Sequence, residues 1–227
     1  MSSRVAVLAS GGGTTVEAFI RATEAKQISS HVELVIVSRK DAGVFQRIEN
    51  LNQEFGLNIK TTLINNKTHP DLGNENHLKG QQTRAEEAAI LEILTDGNFD
   101  LIALMGYMKR IGANLITAFG WLANYHSIFE AKMVNTHPGL LPDTKGFYGE
   151  HIQQYVLDNN LPYGGQSLHV VSSDYDDGPI IAEHKVTVEP DDSAESLFAR
   201  VQMIEKKYLP GDIDSFIKAR LAYINNQ

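Results

Sequence analysis

The run Arg4-Val5-Ala6-Val7-Leu8-Ala9, closed by Ser10-Gly11-Gly12-Gly13-Thr14-Thr15 and followed by an amphipathic stretch through Lys26, constrains the fold more than any other feature of the chain. The apolar run has strand length, the glycines make a turn, and helical periodicity resumes beyond them. The alternation then repeats. His31 to Val37 reads as a second buried strand, Ala42 to Phe55 as a helix stopped by Gly56, and Lys60 to Ile64 as a third, short strand. This order implies a parallel sheet with right-handed crossovers and helices on both faces. Strand, glycine turn and helix start also make an anion site, because glycines allow close backbone approach and the first helical N–H groups point at the guest. Phosphate is the expected guest, and a turn shaped only for tight strand-to-helix packing is the alternative. The pattern is neither a P-loop nor a proper G-x-G-x-x-G, since Val16 stands at its last position.

Asn65 to Gly80 is polar and reads as a surface loop, with His69 and His77 solvated rather than paired on a metal. Thr83 to Leu94 reads as a helix with Thr83 as N-cap and Glu86 in the capping-box position. Arg84 lies in its first turn, against the helix dipole, so it is either solvated or retained for a ligand. Asp100 to Gly106 is a further buried strand, and the turn Gly106-Tyr107-Met108-Lys109-Arg110-Ile111 either lines a pocket for a flat heterocycle or is packed by Tyr107 and Met108. A helix starts near Ala113, and Trp121 to Glu130 is added loop or an extra helical turn.

Ala131 to Val134 is the next apolar run, and Asn135-Thr136-His137-Pro138-Gly139-Leu140-Leu141-Pro142 follows it. Ligands of open α/β sheets bind at the carboxyl ends of strands. Asn135 and His137 are two apart, so if the strand persists they point the same way. Asn can donate to an oxyanion and His can carry a proton near neutrality, whereas a strand-end cap beside an exposed His is the alternative. Gly146 to Gly149 is a turn, and Glu150 to Asp158 a helix. Leu168 to Val171 and Ile180 to Val188 read as strands forming an antiparallel extension. Between them, Asp174, Asp176 and Asp177 repel one another and need either solvent or a cationic partner. Ala194 to Tyr208 is a long helix broken by Leu209-Pro210-Gly211, with a final helix from Ile213 to Tyr223.

No repeat, low-complexity tract or linker divides the 227 residues, and 42% hydrophobic content suffices for one core. A single-domain, doubly wound, mostly parallel α/β sheet is expected over residues 1–227. The net charge of −8 argues against a nucleic-acid binder. With no cysteine there are no disulfides and no thiolate chemistry. No apolar window reaches membrane-spanning length, so a cytoplasmic protein is expected.

Together these residues resemble the folate-dependent formyltransferases, from the strand and glycine loop at Arg4 to Thr15 as far as Tyr208. The most specific parts are Asn135-x-His137-Pro138 with Leu140-Leu141-Pro142, and Asp176-Asp177-Gly178-Pro179-Ile180. The resemblance implies a Rossmann-like formyltransferase fold and transfer of a formyl group from 10-formyltetrahydrofolate to the amine of phosphoribosylglycinamide, with no metal, in a monomer or homodimer. It assigns the catalytic roles to Asn135, His137 and Asp176, with Asp176 favouring the imidazolium form of His137 and fixing its tautomer. It places the ribotide on Gly12, Gly13, Thr14, Thr15, Gln202 and Glu205, in a ribotide-binding half of about residues 1–100 and from the late helix. It draws the folate pocket from Arg84, Tyr107, Met108, Lys109, Arg110, Ile111, Asn135, Ser172, Ser173, Asp174, Tyr175 and Asp176, mostly in the half spanning about residues 100–210. His151 is implied as a further histidine near the site.

The chain departs from the family pattern at three places. The glycine loop ends Gly13-Thr14-Thr15 where Gly-Ser-Asn is usual, Lys109-Arg110 is one residue out of register, and residues 121–130 and 143–148 are longer than usual. The rival readings are a formyltetrahydrofolate deformylase, a formyltransferase for another amine such as a sugar nucleotide or methionyl-tRNA, and a non-catalytic binder. An added amino-terminal domain is usual in the first, and an added carboxyl-terminal domain with a basic surface in the tRNA enzyme. Joint retention of Asn135, His137 and Asp176 weighs against mere binding.

Overall fold

A computed structural model describes residues 2–71 and 78–226; His77 of the expected polar loop lies outside them. Seven strands form one sheet in the order β3-β2-β1-β4-β5-β6-β7. They are β1 Arg4–Ala9, β2 His31–Val37, β3 Lys60–Leu63, β4 Leu101–Leu104, β5 Met133–His137, β6 Tyr163–Val170 and β7 Ile180–Thr187. The helices are α1 Thr14–Glu24, α2 Val44–Phe55, α3 Arg84–Gly97, α4 Ala113–Phe119, α5 Glu150–Asp158 and α6 Ala194–Asn225, with a short 3-10 turn at Ile128–Glu130 in the segment expected as loop or an extra helical turn. The first five strands pair in parallel, and β6 and β7 join antiparallel, as the alternation predicts.

β1 is buried on both faces, and its period-two alternation divides the core. Val5, Val7 and Ala9 pack with α1, α2 and α6, whereas Ala6 and Leu8 pack with residues of α3 and α4 such as Ile90, Leu94, Leu115 and Phe119. The strand order reverses between β1 and β4, so a crevice opens at their carboxyl ends. There Ser10 N–H donates to Gly106 O at 3.0 Å, and Ser10 Oγ accepts from Met108 N–H at 2.9 Å. The two turns expected to hold ligands are therefore tied together by the residue that ends β1.

Three expectations are corrected. β5 does not stop at Val134 but runs to His137, because antiparallel pairing with β6 carries the ladder through Asn135 and Thr136. β6 begins at Tyr163 rather than Leu168, and Gly164 and Gly165 are strand residues. A Cβ on Gly165 would lie 2.4 Å from His184 O and 2.5 Å from Leu140 Cδ2, so glycine is what lets β7 and the 138–142 loop approach.

The third correction is α6, one helix of 32 residues that passes through Pro210. A proline inside a helix costs about 3 kcal/mol through its missing N–H and ring clash. Here Leu209, Pro210, Ile213, Phe216 and Ile217 are all buried, and at roughly 1.5–3 kcal/mol per large apolar side chain their burial outweighs that penalty.

Asp214, on the same helix, anchors α6 to the loop before β2. Its Oδ1 accepts from Ser29 N–H at 3.0 Å and Ser30 N–H at 2.8 Å, and Oδ2 faces Lys218 Nζ at 2.6 Å. Burial opposes its charge, but Lys218 and the serine donors outweigh burial and bring the carboxyl down to about 2 from its ordinary 3.8. A lowered folded-state pKa contributes stability that is full above the unfolded value and is lost as pH falls through the folded one. Asp214→Asn should therefore destabilise the protein by about 1.5–3 kcal/mol at neutral pH. The difference from wild type should shrink between pH 3.8 and about 2. Denaturant unfolding at several pH values measures both, and a constant difference across that window would assign the effect to packing instead.

Candidate active site

Because β5 extends to His137, its alternation sends Asn135 and His137 to one face and Thr136 to the other. The site accordingly has two compartments at one sheet edge.

On the first face, Asp176 meets both histidines. Its Oδ2 lies 3.6 Å from His137 Nδ1 and its Oδ1 3.5 Å from His169 Nε2. Asp176 adopts φ 49°, a left-handed conformation that Asp tolerates better than most residues and that is found at functional turns. Gly146 N–H donates to Asp176 Oδ2 at 3.2 Å, and Lys145 pairs with Asp177, so the long 143–148 segment is latched onto the acidic loop. The loop thus has the cationic partner it needed.

The tautomer of His137 follows from its neighbours. Thr144 Oγ1 donates to Leu140 O at 2.9 Å, so it accepts from His137 Nε2–H at 3.0 Å. In the neutral ring Nδ1 is then bare toward Asp176, and the proton that makes the imidazolium enters between ring and carboxylate. Burial lowers the pKa of His137 from its ordinary value, His169 adds to this, and Asp176 only partly offsets it. The influence of Asp176 favours the imidazolium, as the resemblance implies, but desolvation is larger. Burial also opposes the charge of Asp176, yet His169, His137 and the Gly146 N–H hold it below the usual carboxylate range.

On the second face, Glu205 of α6 is buried between β5 and α1. Its Oε1 accepts from Thr136 Oγ1 at 2.6 Å and its Oε2 from Thr15 Oγ1 at 3.1 Å. Gln166 Nε2 donates to Thr136 Oγ1 at 3.2 Å, which leaves the threonine proton for the carboxylate. Burial raises the pKa of Glu205, and the two threonines oppose the rise. Gln202, one turn earlier, is half-buried and makes none of these bonds.

Beside this pair the glycine loop starts α1. Gly13 is the N-cap with φ 75° and supplies no side-chain cap, so the first-turn N–H groups at Thr14 and Thr15 stay available to an anion. A Cβ at Gly13 would lie 2.5 Å from Val44 Cγ2, so the loop is pressed against α2. Arg47 of α2 donates to Gly12 O at 2.7 Å and pairs with Glu17, placing a cation at the loop that no sequence motif indicates.

The two expected walls of the heterocycle pocket meet. Arg110 donates to Ser173 O at 2.9 Å and lies over the Tyr175 ring at 5.5 Å, joining the Gly106–Ile111 turn to the Ser172–Asp176 loop. Met108 is exposed at this turn and Ile111 is buried; in the facing loop Ser172 Oγ donates to Asp174 O. Two members of the first wall are turned elsewhere. Lys109 Nζ lies 2.5 Å from the fully buried Glu86, which closes the capping box of α3 through Thr83, and the Tyr107 hydroxyl accepts from Gln82 at 3.0 Å. Arg84 is exposed on the first turn of α3. His151 is exposed at the start of α5, edge-on to Tyr148 at 5.5 Å.

Thr136, Thr144, Gln166 and His169 were not singled out by sequence. The available signal for His169 was a polar residue inside the apolar run Leu168 to Val171, and for Thr136 its place between Asn135 and His137. A groove of about 790 Å³ lies between α2 and β3, lined by residues such as Phe45, Gln46, Glu49 and Gln53. It holds no candidate residue, and the convergent titratable groups lie elsewhere.

Residues 3–213 match the formyl transferase family. The chain belongs to that family. It is 27% identical to the phosphoribosylglycinamide formyltransferase of Bacillus subtilis over 94% of each chain. It is also 29% identical to the bovine trifunctional purine biosynthetic protein adenosine-3 over 92% of its own length, spanning 18% of that larger relative. Among solved structures, the phosphoribosylglycinamide formyltransferase of Bacillus halodurans aligns with TM-score 0.75 and 30% identity, covering 94% of this chain and 95% of the other. Glycinamide ribonucleotide transformylase 1 of Symbiobacterium toebii aligns with TM-score 0.77 and 28% identity, covering 96% and 89%. Among the described residues no helix is long and apolar enough to cross a membrane.

The opposed influences on His137 make a testable pair. Replacing Asp176 with Asn removes the group that raises its pKa and leaves burial and His169 in place, so the imidazole should titrate at still lower pH. Histidine NMR titration of wild type and variant reads this directly, and an upward or absent shift would contradict the arrangement.

Proposed function

We propose that this member of the formyl transferase family transfers the formyl group of 10-formyltetrahydrofolate to the amine of phosphoribosylglycinamide in purine synthesis. The observation that supports this most is the convergence of Asn135, His137 and Asp176 between the glycine loop on one side and the Arg110-bridged turn and loop on the other.

The formyl donor supplies a carbon held as an amide on N10. Attack by the acceptor amine develops negative charge on the formyl oxygen, and stabilising that charge is the main task of the site. His137, protonated at Nδ1 beside Asp176, brings positive charge to that oxygen, and the Asn135 amide gives a donor. The attacking amine loses a proton while N10 gains one. His137 serves this exchange directly or through water, with Asp176 holding the imidazolium.

Thr14 and Thr15 at the start of α1 would take the acceptor's phosphate on backbone N–H groups, with Gly12 and Gly13 allowing the approach and Arg47 adding charge from α2. Glu205, desolvated and without a cation in hydrogen-bond contact among the described residues, keeps lone pairs for the acceptor's amide or amine, and Gln202 borders it. The folate would lie across Met108, Arg110, Ile111, Ser172, Ser173, Asp174 and Tyr175, with Tyr107 and Lys109 supporting the turn from behind and Arg84 near its rim. On this reading the chain is one domain, with a ribotide half up to about residue 100 and a folate and catalytic half beyond it. It acts in the cytoplasm on small molecules, without metal or nucleic acid, as a monomer or homodimer.

Purified protein given 10-formyltetrahydrofolate should lose the formyl group only when phosphoribosylglycinamide is present. Loss without acceptor would instead mark a deformylase. His137→Asn and Asp176→Asn should each lower turnover roughly 10²- to 10⁴-fold while folate affinity stays within about tenfold, as expected for groups acting on charge and protons. Near-wild-type turnover in either would remove the proposed trio. The ribotide should raise the melting temperature and the dephosphorylated riboside should not; equal stabilisation by both would displace the phosphate from the glycine loop.

A further inference from the structure

The Asn135 amide is turned inward. Its Nδ2 lies 3.0 Å from His169 Nε2 and 3.4 Å from Asp176 Oδ1, so its N–H bonds face protein, and its Oδ1 has no partner among the described residues. A donor to the formyl oxygen needs the opposite presentation. What decides between the two is the neighbouring imidazole.

His169 Nδ1 lies 3.0 Å from Val170 O. A carbonyl only accepts, so Nδ1 carries a proton in every state of the ring. In neutral His169, Nε2 is therefore a bare acceptor, and it takes an N–H from Asn135, which turns Oδ1 outward. In the imidazolium, Nε2–H donates and opposes the facing Asn135 N–H, and rotation of the amide to offer Oδ1 inward relieves this at the expense of the 3.4 Å contact with Asp176 Oδ1. The NH2 group is then presented to the reacting centre.

We propose that His169 is a positioning residue whose protonation selects which end of the Asn135 amide is presented, the imidazolium giving the form that donates to the formyl oxygen. The catalytic part rests on the formyl-transfer reading; the coupling between His169 and Asn135 does not. The titratable groups facing His169 are Asp176 from the 171–179 loop and His137 from β5, while Ile180 of β7 pairs opposite it and Asn135 is its polar neighbour across the ladder. One carboxylate between two imidazoles lets either ring be charged without stranding Asp176.

The ligand-free protein supplies the test. In 15N-edited NMR over about pH 5 to 9, where imidazole titrates, the side-chain amide signals of Asn135, identified by their loss in Asn135→Asp, should move with the midpoint of the His169 ring. In His169→Gln, which keeps a polar contact but cannot titrate, that movement should vanish. With formyl donor and acceptor, the same variant should lose one inflection of the kcat/KM pH profile and about 10- to 100-fold in kcat, with KM for the donor within about threefold. His169→Phe provides a second non-titrating variant judged by the same signals. Asn135 signals that ignore the His169 midpoint, or that titrate unchanged without the imidazole, would overturn the inference. Absence of acceptor-dependent turnover would overturn the formyl-transfer reading alone, since the NMR coupling needs no substrate.

Discussion

The ladder between β5 and β6 is the constraint on which the site depends. Asn135 pairs opposite His169, Thr136 opposite Leu168 and His137 opposite Ser167, all at the carboxyl end of β5. A slip of one residue would exchange the faces of the strand. It would send Thr136 toward Asp176, and Asn135 and His137 toward α6. Met133 and Val134, both fully buried on opposite faces, hold the register from the core side, and Gly165 lets β7 and Leu140 close on it from the other.

Around that ladder, charge is managed by burial and hydrogen bonds rather than by an excess of cations, as the net charge of −8 requires. Glu205 and Asp176 are two largely desolvated carboxylates with opposite outcomes. Glu205 has hydroxyl donors only, and burial wins. Asp176 has two imidazoles and a backbone N–H, and it stays ionised against its own burial. His137 shows the same competition from the cationic side, with desolvation prevailing over its carboxylate. Groups under such opposed influences respond when a ligand displaces water or brings its own charge, which is the condition a proton-exchanging site needs.

Much of the architecture was legible because the parallel strands are apolar runs separated by glycine turns and periodic helices. The sheet class, the antiparallel extension and the capping box at Thr83 follow from local pattern. Where tertiary contacts override local preference, the pattern misleads. Pro210 reads as a stop, yet the apolar face of α6 pulls the helix through it; Gly164 and Gly165 lie outside the expected strand, yet cross-strand approach needs them in it. Asn135, His137 and Asp176 were visible as motif residues. His169, Thr144 and Arg47 were not, because each acts through a neighbour 7 to 35 positions away and carries no motif of its own.

The altered glycine loop gains a physical sense from Thr15. An Asn at that position would offer an amide to the ligand, whereas Thr15 offers its hydroxyl to Glu205 at 3.1 Å. One bond thereby joins the loop proposed for the phosphate to the carboxylate proposed for the other end of the same acceptor, and Thr136 ties that carboxylate to the strand bearing Asn135 and His137. A single neutral hydrogen bond contributes only about 0.5–1.5 kcal/mol, but here it fixes the spacing between two anchoring points of one ligand. Spacing fixed before binding removes an ordering cost that would otherwise fall on the complex. On the proposed reading, the exchange of Asn for Thr trades an amide contact with the acceptor for preorganisation, which is compatible with an unchanged acceptor class.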